Sequence, residues 1–265
     1  MASLAYHRPS SIAEAAQLAH DDPQAKLLAG GQSIIPSLKL GLLAPSAFID
    51  LGAIADLRGL RLEGRSLRIG AMTSHAAVAS STEVRNHLPA LGQLASGIAD
   101  RQVRNRGTIG GSLANSDPAA DYPAAVLGLG AEVRTDRRVI PADSFFQGLF
   151  ATALDSDEIV TAVDFPRPDR AAYVKFPQPA SRFALVGVFV SVTGNSVRVA
   201  VTGAGPCVFR VPEMEQALAR RFAPESLAGI TMSSGSLNTD LHGSAEYRAH
   251  LIPVLTRRAV EQALT

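Results

Sequence analysis

Apolar positions recur at helical spacing from Ile12 to Ala19, and Ser10-Ser11 ahead of them predict a capped helix. Asp21-Asp22-Pro23 breaks it, and Ala25-Lys26-Leu27-Leu28-Ala29 predicts a short buried strand. Gly30-Gly31 turns the chain into a short helix over Ser33 to Leu40, and Pro45 precedes a second strand, Ala47-Phe48-Ile49-Asp50. This opening reads as an α/β unit.

From about Leu57 the pattern changes. Leu60 to Leu62 and Leu67 to Ile69 alternate around Gly64, as in a hairpin. Ser74 opens a helix to about Ala79, and Glu83 to Ile98 keeps helical spacing through Val84, Leu88, Leu91, Leu94, Ala95 and Ile98. A long loop rich in Arg, Asn, Gly and Asp follows, then an Ala-rich helix near Tyr122 to Leu129 and strands at Ala131 to Thr135 and Ile159 to Phe165. Pro166-Arg167-Pro168-Asp169 reads as a linker. Beyond it, Ala184 to Val192 and Ser196 to Thr202 predict a hairpin around Gly194-Asn195, with helices at Glu213 to Arg221 and Ser244 to Leu264. Pro253 is expected to kink or restart the last helix, because it lacks an N–H and crowds the preceding turn.

Composition narrows the class. In 265 residues, 46% are hydrophobic and 18% charged, the balance of an ordered globular chain. The net charge of +1 argues against a nucleic-acid or anionic-membrane partner. The nearest thing to a basic patch is Arg101, Arg104 and Arg106, which reads as a solvated surface. No window approaches the roughly eighteen apolar residues of a membrane span, and MASLAYHRPS has no secretory pattern, so a cytoplasmic protein is expected. Cys207 is the single cysteine, so this chain alone cannot hold a disulfide, an iron–sulfur cluster or a cysteine-rich zinc site. The six histidines lack metal-ligand spacing, so no metal site is expected and any redox chemistry here needs an organic cofactor.

Two glycine loops carry the candidate chemistry. In Ala29-Gly30-Gly31-Gln32-Ser33-Ile34-Ile35-Pro36 the glycines lie between a predicted strand and helix, where a backbone without Cβ approaches a ligand and unpaired N–H groups face it. Thr108-Ile109-Gly110-Gly111-Ser112 repeats the device and adds two hydroxyls. Neither loop is GxGxxG or GxxxxGK, and no GxSxG nucleophile motif is present. From these residues alone, the reading stops at a nucleotide-sized anion in an α/β protein.

Taken together, the segments resemble the FAD-binding medium subunit of the molybdenum hydroxylases, the family of xanthine dehydrogenase and bacterial carbon monoxide dehydrogenase. The resemblance covers nearly the whole chain: AGGQSIIPSLKL at 29–40, IGAMTSHAAVASS at 69–81, QVRNRGTIGGSLANSDPAADYPAAVLGLGAEV at 102–133, YVKF at 173–176 and GSAEYRAHLIPVLTRRAV at 243–260. It implies an α+β chain with the flavin fold of p-cresol methylhydroxylase: two α/β subdomains (1–56 and 57–166) holding FAD between them, and a C-terminal α+β domain (167–265) with a small antiparallel sheet. It further implies a large partner subunit with the molybdenum cofactor, a small partner with two [2Fe–2S] clusters, and an assembly with two copies of each.

Carried over residue by residue, the resemblance puts Ala29, Gly30, Gly31, Gln32, Ser33, Ile34, Ile35 and Pro36 around the FAD diphosphate. Thr108, Ile109, Gly110, Gly111 and Ser112 form a second diphosphate loop. Asp121 matches an aspartate that bonds the polar part of the cofactor, with Asn115 and Asp117 on the same wall; helix capping is the alternative for these three. Ile98 and Val160 fall where apolar groups face the isoalloxazine, or are ordinary core. Lys175 matches a lysine near the flavin, where a cation stabilises negative charge on the reduced cofactor, or is a surface group. Gln32 replaces the histidine that some related oxidases use for covalent attachment, which implies non-covalent FAD. No side chain is expected to act as acid or base on an organic substrate. Two rival readings share the fold: a self-sufficient flavin oxidoreductase, and an FAD-free scaffold that bridges the other subunits.

Overall fold

A computed structural model describes residues 4–265. Its first sheet is small and parallel. β1 (Ala5–His7), α1 (Ile12–Asp21), β2 (Lys26–Leu28), α2 (Ile34–Lys39) and β3 (Ala47–Asp50) follow one another, and β3 lies between the other two strands. Ser11 caps α1 by accepting from the Glu14 amide, as its position predicts. β2 is an edge strand, with Lys26 exposed and Leu27 and Leu28 only half-buried, so the expected burial is found instead in β3.

The second sheet is antiparallel. β4 (Leu60–Glu63) and β5 (Ser66–Gly70) make the expected hairpin, with Gly64 at φ +62°. Helices α3 (His75–Ser80), α4 (Thr82–His87), α5 (Pro89–Ser96), α6 (Arg101–Arg106), α7 (Ile109–Asn115) and α8 (Tyr122–Leu129) come next. Two expectations are corrected here. The helix read over Glu83 to Ile98 is broken at Leu88 (φ −142°, ψ 60°), because Pro89 starts a new helix and disfavours the helical conformation in the residue before it. The segment read as a long loop contains α6 and α7, whose amides are capped by Asp100 and Thr108. The chain then forms β6 (Glu132–Thr135), β7 (Val139–Pro141), α9 (Ala142–Phe145), the hairpin β8 (Phe146–Gly148) and β9 (Ala151–Thr152), and β10 (Val160–Pro166), giving the sheet order β4-β5-β10-β6-β7.

The third sheet, β11 (Arg170–Pro177), β12 (Ala184–Thr193), β13 (Ser196–Thr202) and β14 (Phe209–Arg210), is antiparallel and is backed by α10 (Pro212–Arg220) and α11 (Ala245–Leu264). α11 neither restarts nor stops at Pro253, which sits inside one uninterrupted helix. β12 is buried along eight consecutive residues because both faces of this sheet are covered. One face packs with α10 and α11 through Val188, Val190, Met214 and Ile252. The other meets α8, all eight residues of which are buried, as a helix apolar on every side must be. Ser191 Oγ donates to Gly128 O at 2.6 Å across that contact, so α8 is the wedge that joins the second and third sheets. Among the described residues, no helix is long and apolar enough to cross a membrane.

Candidate functional site

The two glycine loops come together. A Cβ on Gly30 would collide with the carbonyl oxygen of Arg106 and lie 2.7 Å from Gly107 Cα, so only glycine allows this approach of two backbones. A Cβ on Gly111 would stand 3.3 Å from Ala29 Cβ. Gly31 adopts φ +75°, which lifts the following turn away from β2.

Their amides differ. Among the described residues, nothing accepts from the N–H groups of Gly31, Gln32, Ser33 and Ile34, while Ile35 N and Ser37 N already close the first turn of α2 on Gly31 O and Ser33 O. In the second loop four amides are engaged. Ile109 N donates to Thr73 O (3.1 Å), Gly110 N to Ala71 O (2.8 Å), Gly111 N to Thr108 Oγ1 (3.2 Å) and Ser112 N to Thr108 O (3.0 Å). The loops thus differ in their main-chain donors: the open amides of 31–34 belong to the first, and those of 109–112 in the second are taken up within the protein.

A cavity of about 420 Å³ opens on the first loop. Ala29, Gly30, Gly31, Gln32, Ile35 and Pro36 line it, together with Tyr6, Lys39, Asp50 and Arg106, which sequence reasoning did not single out as site residues. The available signal was the adjacency of Arg106 to Gly107 and of Lys39 to the glycine loop.

A second cluster forms around Lys175 on β11. Its ammonium donates to Asp121 Oδ1, Gly97 O and Arg182 O, each at 2.9 Å, so all three of its protons are used. Asp121 also accepts from Tyr173 Oη at 2.5 Å. Burial raises the Asp121 carboxyl, and the Lys175 charge and the Tyr173 hydroxyl oppose that rise. Asp121 precedes α8, and although its carbonyl accepts from Ala124 N its carboxylate accepts no amide from the helix, so side-chain capping is not what occupies that carboxylate. Ala99 (φ +40°) and Arg182 (φ +62°), non-glycine residues in the left-handed region, flank the two carbonyls that Lys175 bonds, a concentration of strain characteristic of functional sites.

The remaining residues are placed around these two centres. Ile98 is half-buried next to Gly97, and its carbonyl accepts from Arg104 Nη1 at 2.8 Å. Val160 is buried at the start of β10, whose Thr161 O accepts from Ala71 N behind the second loop. Asn115 and Asp117 flank Ser116 at φ +46°, and Asp117, whose carboxyl burial pushes up, accepts from Ala119 N at 2.9 Å. The strand ends of the third sheet hold this stretch: Gly203 N and Thr202 Oγ1 donate to Pro118 O, and Ala184 N to Ala119 O. The structure thus joins the glycine loops to each other and Asp121 to Lys175, with the segment 97–107 running from one centre to the other.

These features suit a nucleotide cofactor: a glycine cradle, four open amides and a cavity bearing cations. Residues 2–168 match the family described as "FAD binding domain in molybdopterin dehydrogenase", and residues 171–263 match "CO dehydrogenase flavoprotein C-terminal domain". The chain is 37% identical to the nicotine 6-hydroxylase medium subunit of Paenarthrobacter nicotinovorans, covering 98% of this chain and 97% of that one. It is 36% identical to the carbon monoxide dehydrogenase medium chain of Hydrogenophaga pseudoflava, covering 97% and 96%. A solved structure of the Hydrogenophaga pseudoflava enzyme, in a form lacking the Mo-pyranopterin moiety of the molybdenum cofactor, superposes with a TM-score of 0.89 at 34% identity over 98% of this chain and 97% of that one. The class is therefore that of flavoprotein components of oxidoreductases. More narrowly, the chain belongs to the FAD-binding medium subunits of the molybdenum hydroxylases.

Proposed function

We propose that the chain carries electrons within a molybdenum hydroxylase of three kinds of subunit. A small partner with two [2Fe–2S] clusters delivers electrons to FAD bound here, and the FAD passes them to an external acceptor. A large partner with the molybdenum cofactor oxidises the substrate. Two copies of each subunit, in the cytoplasm, complete the reading. FAD would supply the redox chemistry when bound. The chain binds, orients and shields it. Three domains serve this, 1–56 and 57–166 closing on the cofactor and 167–265 holding the second by its Lys175 and Tyr173 contacts.

The open amides of Gly31, Gln32, Ser33 and Ile34, set beside Gly30 and Gly111, carry the proposal, since four successive N–H groups without an internal acceptor suit a diphosphate. Ala29, Ile35 and Pro36 complete that wall, and Thr108, Ile109, Gly110 and Ser112 face it as a rigid support. α6 alone spans about 9 Å of the distance between the cradle and the Lys175 cluster. Ile98, Asp121 and Lys175, with Asn115, Asp117 and Val160 beside them, would hold the flavin end of a dinucleotide bound at the cradle. Lys175 is fixed by three acceptors, so it acts as an immobile positive charge and not as a proton donor.

The test is the absorption spectrum of the complex purified with its partner chains, beside that of Gly111→Asp. The new carboxylate would repel phosphate and crowd Ala29, so the expected result is a folded complex without its flavin band. Full flavin content in that variant would remove the second loop from the site.

A further inference from the structure

Three consecutive carbonyls, at Gly97, Ile98 and Ala99, each accept from a cationic side chain. Lys175 Nζ donates to Gly97 O at 2.9 Å, and Arg104 Nη1 donates to both Ile98 O and Ala99 O at 2.8 Å. Arg182 Nη1 reaches Ala99 O at 3.2 Å. Arg104 lies on α6 and folds back over the turn that precedes its own helix, while Lys175 is on β11 and Arg182 follows that strand. These cations do not cap α5. Its last carbonyls are already engaged, Gln93 O and Leu94 O by Gly97 N and Ala95 O by Ile98 N, and the three bonded carbonyls lie past its final residue, Ser96. What the bonds hold is a conformation. Ala99 stands at φ +40°, in the left-handed region that its Cβ disfavours. Two guanidinium groups meet at its own carbonyl, so the strained residue is also the one with two cationic partners. The far end of the turn is pinned as well, since Asp100 accepts from Val103 N at 2.8 Å to start α6.

We propose that Arg104 and Arg182 are positioning residues for Ile98: with Lys175 they hold the 97–99 turn in its left-handed shape, and that shape sets where the Ile98 side chain stands at the flavin end of the site. The proposal rests on the reading that puts Ile98, Asp121 and Lys175 at that end. Left to itself, the turn would unbend by rotating Ala99 to negative φ, and Ile98, one residue earlier, would move with it. Three hydrogen bonds from charged donors to Ile98 O and Ala99 O oppose that rotation, and such bonds are stronger than neutral ones. Arg104 and Arg182 act through the backbone of the turn, which separates their role from that of Lys175 as a fixed charge. The strain at Ala99 is therefore the cost of the position given to its neighbour.

The experiment uses the complex purified with its partner chains and stripped of flavin. FAD binding is followed by quenching of flavin fluorescence, ADP binding by competition, the flavin midpoint potential by reductive titration, and folding by urea unfolding. Arg104→Met should weaken FAD about fivefold or more and shift the midpoint potential, while ADP, which lacks the flavin end, stays within about twofold. Ala99→Val penalises positive φ and leaves all three cations in place, so it should do the same. Ala99→Gly removes that penalty, so adding it to Arg104→Met should recover most of the lost affinity. A merely structural Arg104 would lower stability without this recovery and would weaken ADP as much as FAD. FAD affinity within about twofold of the parent in both Arg104→Met and Ala99→Val, or a loss that Ala99→Gly does not recover, overturns the proposal and leaves FAD binding itself standing. Should Arg104→Met not fold, Ala99→Val decides alone. Failure of the parent complex to bind FAD overturns the underlying reading instead.

Discussion

The two glycine loops look alike in sequence, each a glycine pair at the start of a short helix, yet the fold uses them in opposite ways. The loop at 29–36 sits on an edge strand, has little packed behind it and keeps four amides open. The loop at 108–112 is nailed to the β5–α3 turn through Ala71 and Thr73, with buried Ile109 and Thr108 beneath it. In both pairs a glycine permits close approach to another stretch of the protein, Gly30 to Arg106 and Gly107 and Gly110 to Ala71, and the loops differ in which amides stay open. A glycine motif therefore announces close approach without saying what approaches. That answer depends on where the adjacent donors go.

Three measurements bear on this contrast, the largest effect first. The second loop leans on His75, whose amide donates to Gly107 O and whose ring lies against Gly107 and 5.2 Å from the ring of Tyr122. Burial, and then the charge of Arg104, lower the His75 imidazole to about 4 from an ordinary 6.5. Between those values the unfolded chain binds a proton that the folded one does not. Stability should thus fall as pH drops from 6.5 to about 4, by about 3 kcal/mol, and this contribution should level off below that. His75→Phe should remove that slope in urea titrations; an identical slope in the variant would mean that the second loop does not rest on a neutral histidine. Next, Gly30→Ala forces Arg106 O and Gly107 away and should cost about 2 kcal/mol in the same assay, with reduced flavin content. A neutral outcome would show that the loops do not press together. Last, Thr108→Val leaves the Gly111 amide without its cap and should cost about 1 kcal/mol while flavin affinity stays within twofold. A large loss of affinity without a loss of stability would return the second loop's polar groups to the cofactor and dissolve the contrast.

Much of the fold was legible because its signals are local. Ser11 and Ser74 cap the helices they announce, and Gly64 and Gly194 turn the two hairpins at positive φ. The break at Leu88 was hidden because Leu88 and Leu91 keep helical spacing across it. α6 and α7 were hidden for different reasons: RQVRNR has almost no apolar stripe to mark it, and IGGSLAN has two glycines, which intrinsic propensity disfavours in a helix. They form because Asp100 and Thr108 cap them and because Thr73 and Ala71, more than thirty residues earlier, accept amides from α7. β11 carries an apolar run of Ala, Tyr, Val and Phe beyond the linker that drew no strand assignment, and it positions Lys175. At the site, the glycines, Asp121 and Lys175 were singled out through family resemblance, whereas Gly97, Tyr173 and Arg182, which complete the Lys175 cluster, were not. The state of their amides was not, and neither was the cavity wall of Tyr6, Lys39, Asp50 and Arg106, since these are assembled from segments far apart in the chain.

The lysine held by three oxygens has a consequence for how the protein comes to be folded. Its acceptors at Gly97 and Asp121 leave the ribosome 78 and 54 residues ahead of it, while the third, at Arg182, follows seven residues behind. Until β11 arrives, Asp121 has neither its cation nor the Tyr173 hydroxyl and must remain hydrated. The final seal of the α8 region, at Asp121, therefore waits on the third sheet.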